Sequence, residues 1–199
     1  MDYDRTHNFS IRGTFELPFG RGKRFDPSSG AVRAVVSGWQ LNTLTSWLSG
    51  RPFSVTASGT SLNMPGNDQR ADQVKGEVKK LGGIGRGAPY YDWTAFAPVQ
   101  EPRFGTAGFN SLRGPSHFNS DLGLFRRFAF GESRNMEFRA EVFNWTNTPK
   151  FGQPSGSISS LQTNADGSFR TGVFEITGTE SLGRDIPERM VRLGLRFSF

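Results

Sequence analysis

The sequence contains no cysteine and only two histidines among its 199 residues. Without cysteine it has neither a disulfide framework nor a thiolate metal site. Long apolar runs are also missing, since no segment approaches the ~20 apolar residues of a transmembrane helix. Helix-forming stretches are scarce, whereas glycine (25 residues) and phenylalanine (19) are abundant. This composition indicates a chain that is built mainly from β-strands.

The last eleven residues, Arg189 to Phe199, alternate strictly between two kinds of side chain. The apolar positions are Val191, Leu193, Leu195, Phe197 and Phe199. The intervening positions are charged or small: Arg192, Gly194, Arg196 and Ser198. A strand of about 9–11 residues with one apolar and one polar face spans an outer membrane as part of a closed barrel. The alternative is an amphipathic strand of a soluble β-sandwich.

Four further segments show the same period of two. They are His7–Leu17, Gly38–Thr56, Phe118–Phe128 and Asn135–Trp145. The last two flank a short turn, Ala129 to Arg134, and therefore form a predicted hairpin. To keep both apolar faces on one side, partner numbers must sum to an even value, and centring on the turn gives about 264. This register predicts Phe128 opposite Met136 and Arg127 opposite Glu137.

Charged side chains recur on the polar face of the predicted strands. Charges at alternate positions would be expensive in a dry core, so we expect this face to line a hydrated lumen. The predicted lumen-facing charges are Arg12, Glu16, Asp121, Arg127, Glu137, Arg139, Glu141, Arg192 and Arg196. We interpret Glu137, Arg139 and Glu141 as lumen charges and not as an acid/base pair, with the arginines of the neighbouring strands as their partners.

Two long segments, Ala57–His117 and Asn147–Pro187, lack clear periodicity. If the C-terminus is periplasmic, both fall outside the cell, as long barrel loops do. The aromatic residues Tyr90, Tyr91 and Trp93 in the first loop are candidate ligand contacts, although loop packing is the favoured role. In the second loop, the sequence predicts a small hairpin turn at Asn164–Gly167.

Catalysis and nucleic-acid binding find little support in the sequence. The net charge is +6, but the basic residues are scattered among acidic ones and form no helical stripe. His7 and His117 lie at predicted strand edges, where a solvated histidine is usual. The glycine-rich segment 82–88 formally matches a dinucleotide fingerprint, but no strand precedes it and a proline follows it. We therefore expect no enzyme activity, no catalytic, cofactor or metal site, and no nucleic-acid partner.

Five strands cannot close a barrel, because single-chain bacterial barrels have an even count from eight upward. The N-terminal residues also have neither the basic nor the apolar region of a signal peptide. We therefore expect residues 1–199 to be the C-terminal part of a larger outer-membrane β-barrel, whose remaining strands lie N-terminal to Met1. The predicted fold class is all-β and antiparallel, with five transmembrane strands and two long extracellular loops.

The order of five sequence blocks resembles the C-terminal end of TonB-dependent outer-membrane receptors. The blocks are DRTHNFSIRGTFELPFGRGKRF, GWQLNTLTSWLSGRPFSVT, FGTAGFNSLRGPSHFNSDLGLFRRF, FRAEVFNWTNTPKFGQP and the terminal GLRFSF. They are most similar to the subfamily that carries an N-terminal carboxypeptidase-regulatory-like domain. The final strand, Val191 to Phe199, also resembles the C-terminal sorting strand of outer-membrane proteins, which typically ends in phenylalanine.

The resemblance implies a 22-stranded barrel in the outer membrane of a Gram-negative bacterium. It also implies an N-terminal plug, a TonB box and energised import of a bulky substrate, such as an oligosaccharide, a peptide or a metal chelate. The implied partners are outer-membrane lipid, the remaining strands and plug, the barrel-assembly machinery and TonB. The plug, box and regulatory domain are not among these blocks. A passive barrel or adhesin, and a soluble all-β binding module, are the alternative functions.

Deleting Phe199 tests the role of the terminal strand. If this strand is a sorting element, the deletion reduces the amount of assembled protein in the outer membrane, as measured by surface labelling of intact cells. Normal surface levels after the deletion would contradict the sorting role.

Overall fold

The computed structural model of the chain describes residues 4–63, 69–131, 134–180 and 188–199. These residues form two compact units. The strand unit comprises residues 8–47, 118–131, 134–149 and 188–199, and the loop unit comprises residues 4–7, 48–63, 69–117 and 150–180. None of the helices in these ranges has the length and apolar character needed to cross a membrane.

One five-stranded sheet dominates the strand unit. Its strands are β1 (Asn8–Glu16), β2 (Trp39–Leu48), β3 (His117–Phe130), β4 (Arg134–Phe143) and β5 (Met190–Ser198). Their order in the sheet is their order in the chain, so they form a simple meander. A short helix, α1 (Gly30–Val36), lies in the connection between β1 and β2. All five predicted strands are therefore present, most with ends shifted by one or two residues.

The register of the hairpin confirms the prediction. Partners in β3 and β4 are antiparallel with numbers that sum to 264, as Phe128 opposite Met136 does. Arg127 lies opposite Glu137, also as predicted. On the other side of β4, Phe138 pairs with Leu195 of β5. The apolar side chains of these three strands therefore share one face of the sheet.

Contacts at the strand ends extend this face to β1 and β2. Leu17 N donates to Trp39 O at 2.9 Å and Ser49 N to His7 O at 2.9 Å, so β1 and β2 are antiparallel. Thr45 Oγ1 lies 2.7 Å from Ser120 Oγ, and the Arg126 guanidinium lies 5.4 Å from the Trp39 ring. These pairs place β3 antiparallel to β2.

The apolar face is exposed to an unusual degree. Leu193 keeps 69% of its surface exposed and Ile11 keeps 51%. In water each exposed leucine or isoleucine side chain forgoes about 1.5–3 kcal/mol of burial free energy. A sheet with one such apolar face and one charged face is typical of a barrel whose outer side contacts lipid.

The second predicted strand is wrong at its C-terminal end. Gly38–Thr56 was expected to be continuous, but β2 ends at Leu48, and Phe53 and Val55 are buried in the loop unit. The reason lies at Gly50, where a Cβ atom would stand 1.8 Å from Gly114 O. The backbone of the loop unit approaches closely there, and Pro52 then pairs with Arg113 in place of the long sheet.

The two segments predicted to be long loops do connect β2 to β3 and β4 to β5, but they also form a folded unit with its own core, which was not predicted. Its strands pair as Pro52–Phe53 with Leu112–Arg113, Thr56–Ala57 with Gln69–Arg70, Asp72–Gln73 with Phe96–Ala97, and Gln162–Thr163 with Phe169–Thr171. Three 3₁₀ turns accompany them, at Gly59–Leu62, Trp93–Ala95 and Ile158–Ser160. The predicted hairpin is confirmed: Gly167 N donates to Asn164 O at 3.0 Å, and Gly167 takes φ = +80°.

Neighbouring positions of β1 test which face meets lipid. Ile11→Arg places a charge on the apolar face and should reduce membrane assembly, since an arginine near mid-bilayer costs about 2–4 kcal/mol. Ser10→Arg is the matched control on the polar face and should assemble normally. Heat-modifiable migration of the outer-membrane fraction measures the folded barrel. Equal assembly of the two variants would contradict the assignment of the faces.

Candidate substrate-contacting surfaces

The register places all nine predicted lumen charges on the polar face of the sheet. In β4, Glu137 lies opposite Arg127 of β3 and opposite Arg196 of β5. The Arg127 guanidinium is 3.5 Å from the Glu137 carboxylate, and Arg139 Nε also donates to that carboxylate. Glu141 lies opposite Arg192 and completes the row. Alternating charges therefore cross three strands.

A cavity of about 510 Å³ lies within the strand unit next to these charges. Glu16, Asn42, Phe125 and Glu137 line part of it. Lys23 Nζ also lines it and donates to Glu16 at 2.8 Å. The buried Asn42 Oδ1 accepts no hydrogen bond. The cavity therefore offers charges of both signs to a polar partner.

Asp121 is a correction among the nine charges. It was expected to be hydrated, but it is buried, and its carboxylate accepts hydrogen bonds from Asn144 N at 2.9 Å and Asn119 Nδ2 at 3.0 Å. Asn144 has φ = +48° and begins the turn that ends β4. Asp121 therefore anchors this turn. The alternation of apolar and polar residues could not predict this role, because Asn144 is distant from Asp121 in the sequence.

Tyr90, Tyr91 and Trp93 pack the interior of the loop unit. Both tyrosines are buried, and the Tyr91 hydroxyl donates to Arg113 O at 2.7 Å. Burial raises the pKa of Tyr91. The half-buried Trp93 ring lies 6.0 Å from the Phe169 ring. These contacts favour the packing role, so the ligand contacts must be sought elsewhere.

Phe174 is the centre of this core. It is fully buried, and its ring centroid lies 5.6 Å from that of Phe96, 5.9 Å from that of Tyr91 and 6.2 Å from that of Phe53. Its φ is +61°, a left-handed conformation that costs about 1–2 kcal/mol for a residue with a side chain. Hydrogen bonds hold it on both sides, from Phe174 N to Ser155 O and from Tyr90 N to Phe174 O. The core therefore joins segments about 80 residues apart in the chain.

The glycine-rich segment 82–88 already holds a carboxylate of the chain itself. Gly87 N donates to Glu175 Oε1 at 2.5 Å, and the Thr171 hydroxyl donates to the same carboxylate at 2.9 Å. Burial raises the pKa of Glu175, but these hydrogen bonds more than offset that effect and hold the pKa below its usual value. The segment is a structural loop and not a phosphate cradle.

A groove of about 770 Å³ in the loop unit is the best candidate for a ligand contact. Two phenylalanines on its wall, Phe104 and Phe109, are 59% and 67% exposed. Sequence reasoning missed both. The neighbouring glycines, Gly105 and Gly108, could have indicated these two rings. A Cβ atom on Gly105 would stand 2.0 Å from Arg70 O, so the backbone beside the rings packs closely against the loop unit.

Polar groups of the groove surround these two rings. Arg70 Nη1 donates to Ala107 O at 3.0 Å, and the Arg51 guanidinium pairs with the Glu180 carboxylate. Ser54 and Asn110 bond to each other and line the same groove. Exposed rings beside fixed guanidinium groups suit a large ligand with flat apolar and polar or anionic parts.

The two histidines differ from each other. His7 is exposed as expected, whereas His117 is buried, and its Nε2 lies 2.9 Å from Phe151 O. Strand ends were expected to be solvated, but His117 is part of the loop unit and is buried there. Across the described ranges, no group of three or more His, Asp and Glu side chains is placed to hold a metal ion.

Comparison with known proteins supplies one match. A family model described as an outer membrane beta barrel domain matches residues 1–186. The matched range contains β1 to β4, and β5 follows it. No curated protein and no solved structure matches the chain.

Glu175 predicts an acid-sensitive loop unit. Because its pKa is lowered by folding, its contribution to stability is present above the unfolded value of about 4.3 and is lost as pH falls through the folded value. Amide exchange at Gly87, corrected for the intrinsic rate, should quicken between neutral pH and about pH 3. Glu175→Gln should exchange faster already at neutral pH and depend less on pH, whereas the exposed Glu77→Gln should behave as the unaltered chain. Identical acid dependence in Glu175→Gln would contradict this role.

Proposed function

Because the chain belongs to the outer membrane beta barrel domain family, we propose that it forms part of a TonB-dependent receptor that imports a bulky substrate. The family places the protein in the outer membrane of a Gram-negative bacterium. Five antiparallel strands with one apolar and one charged face fit that location. Energised transport is the part of this proposal that goes beyond family membership.

The observation that carries the proposal is the row of charges on the polar face. A channel for polar cargo needs a hydrated wall, and a charge-paired face supplies one. Glu137 contacts arginines on its own strand and on β3, so its charge is compensated while the face stays polar. The cavity beside Asn42 and Glu137 gives a plug domain polar groups to bind.

The described sheet has two edge strands, β1 and β5. Open edges are costly in lipid because unpaired backbone groups find no water there, and closed barrels avoid them. Our proposal therefore includes further strands of the same receptor, 22 in total by the resemblance, and a plug inside them. Residues 1–199 are the C-terminal part of that barrel domain.

The loop unit is the proposed site of first contact with substrate. With the end of β5 on the periplasmic side, the connections β2–β3 and β4–β5 both leave the sheet on the extracellular side. The β2–β3 connection supplies Arg51, Phe104 and Phe109 to the groove, and the β4–β5 connection supplies Gln153. Exposed rings and fixed cations there suit an oligosaccharide, peptide or chelate larger than porins admit.

The proposed role is binding and transport and not catalysis. TonB and the barrel-assembly machinery are the proposed protein partners, lipid surrounds the barrel, and nucleic acid is not a partner. A passive barrel or an adhesin is the second candidate, favoured by the exposed rings of the loop unit, which suit surface attachment equally well. A soluble binding module is set aside by the family membership.

The test begins with the native polypeptide that ends in GLRFSF, extracted from cell envelopes with detergent. We expect an intact mass several times the 22.0 kDa of this chain and cross-linking of that polypeptide to TonB in energised cells. A 22.0 kDa polypeptide would contradict the larger barrel. A large polypeptide that never cross-links to TonB would contradict energised transport and leave the passive barrel.

A further inference from the structure

Helix α1 is fastened to the apolar face of the sheet. The residue that binds the helix is Arg126 of β3, which lies opposite Phe138 and therefore points to the apolar side. Its two terminal nitrogens donate to the backbone carbonyls of Ala34 and Val35 in the last turn of α1. The rings of Trp39 and Phe138 lie 5.8 Å apart across β3 and flank this position. The C-terminal end of α1 is thus held over the apolar face.

Protein donors bind the carbonyls of Arg33, Ala34 and Val35 near the end of α1. Ser37 N donates to Arg33 O at 3.1 Å, and Trp39 Nε1 joins Arg126 in donating to Val35 O, at 2.9 Å. Helix ends in water usually leave such carbonyls to the solvent. Pairing of carbonyls inside the protein is what a helix end needs where water is scarce.

The side chains of α1, in contrast to its bonded carbonyls, are mostly apolar and exposed. None of its seven residues is buried, yet four are valine or alanine on the surface, and Val32 and Val35 are 49% and 65% exposed. Its one charge, Arg33, is bound to Asp26 Oδ1 at 2.6 Å and to Pro27 O at 2.9 Å. A helix this short is unstable alone in water, and here it gains little from burial against protein, because none of its residues is fully buried. An apolar medium would supply the missing stabilisation.

We propose that α1 is an interfacial helix whose valine side chains enter the acyl chains of the membrane at the rim of the barrel. The occupant of this surface is lipid, because the surface continues the apolar face that meets lipid in this family. Trp39, bonded to the helix end, is of the type that marks the membrane interface. Arg126 is a positioning residue that keeps the helix on this face. The inference rests on family membership and not on coupling to TonB.

The test uses the full receptor refolded into phosphatidylcholine vesicles. The chain has no cysteine, so Val35→Cys carries a single fluorescent label within it. Lipids with a nitroxide near the headgroup or near the chain end then report depth. An interfacial helix lies about 5–10 Å into the headgroup and acyl boundary, so the headgroup nitroxide should quench the label more. Arg126→Met should weaken this quenching, because the helix end loses the two donors that hold it to β3.

Two further labels serve as controls. Leu193→Cys on β5 should be quenched more by the nitroxide near the chain end, and Val74→Cys in the loop unit should not be quenched. If the Val35 label escapes quenching while the Leu193 label is quenched, water or another protein segment covers α1 and the inference is overturned. If the Val35 and Leu193 labels both escape, the lipid assignment of the whole sheet face fails with it. Quenching at Val74 would show partition of the label itself and would also overturn the inference.

Discussion

The strand unit depends on its register, because a strand alternates its side chains with a period of two. A slip of one residue between β4 and β5 would move Leu193 to the charged face and Arg192 to the apolar one. In an outer membrane such a slip exchanges hydration and lipid contact for every residue of the strand. The short hairpin turn fixes the register between β3 and β4, and the alternation of apolar and polar residues opposes a slip between β4 and β5. Faces, cavity and charge row all follow from this one constraint.

The same constraint explains how much of the fold could be predicted. Alternation is a local property, so five strands and the pairing of Phe128 with Met136 could be predicted from neighbouring residues alone. The nine charges share a face for the same reason. Asp121 shows the limit: its face was predicted, but its burial arises from Asn144, which joins it only through the turn after β4.

The loop unit could not be predicted, since its core has no period. Phe53, Tyr91 and Phe174 meet from distant parts of the chain, and Gly50 and Gly105 permit the close backbone contacts that bring such segments together. Aromatic content indicated a functional loop but not which rings face outward. Tyr90 and Tyr91 became core, whereas Phe104 and Phe109 remained exposed. Burial of a ring depends on partners far away in sequence, so only the structure could identify the groove.

Arg126 is a charged residue on the apolar face of β3, and this exception to the alternation is informative. An isolated arginine on a lipid-facing strand costs about 2–4 kcal/mol near mid-bilayer and about 0–1 near the rim. Here its guanidinium lies 4.1 Å from the Phe128 ring centroid and gives its donors to carbonyls that the end of α1 leaves unpaired. An apolar residue at 126 would remove one unfavourable charge but would also remove the donor to Ala34 O, whereas Val35 O would keep its bond from Trp39 Nε1. The two terminal nitrogens of Arg126 and the helix end therefore satisfy each other, which makes both more tolerable in an apolar medium.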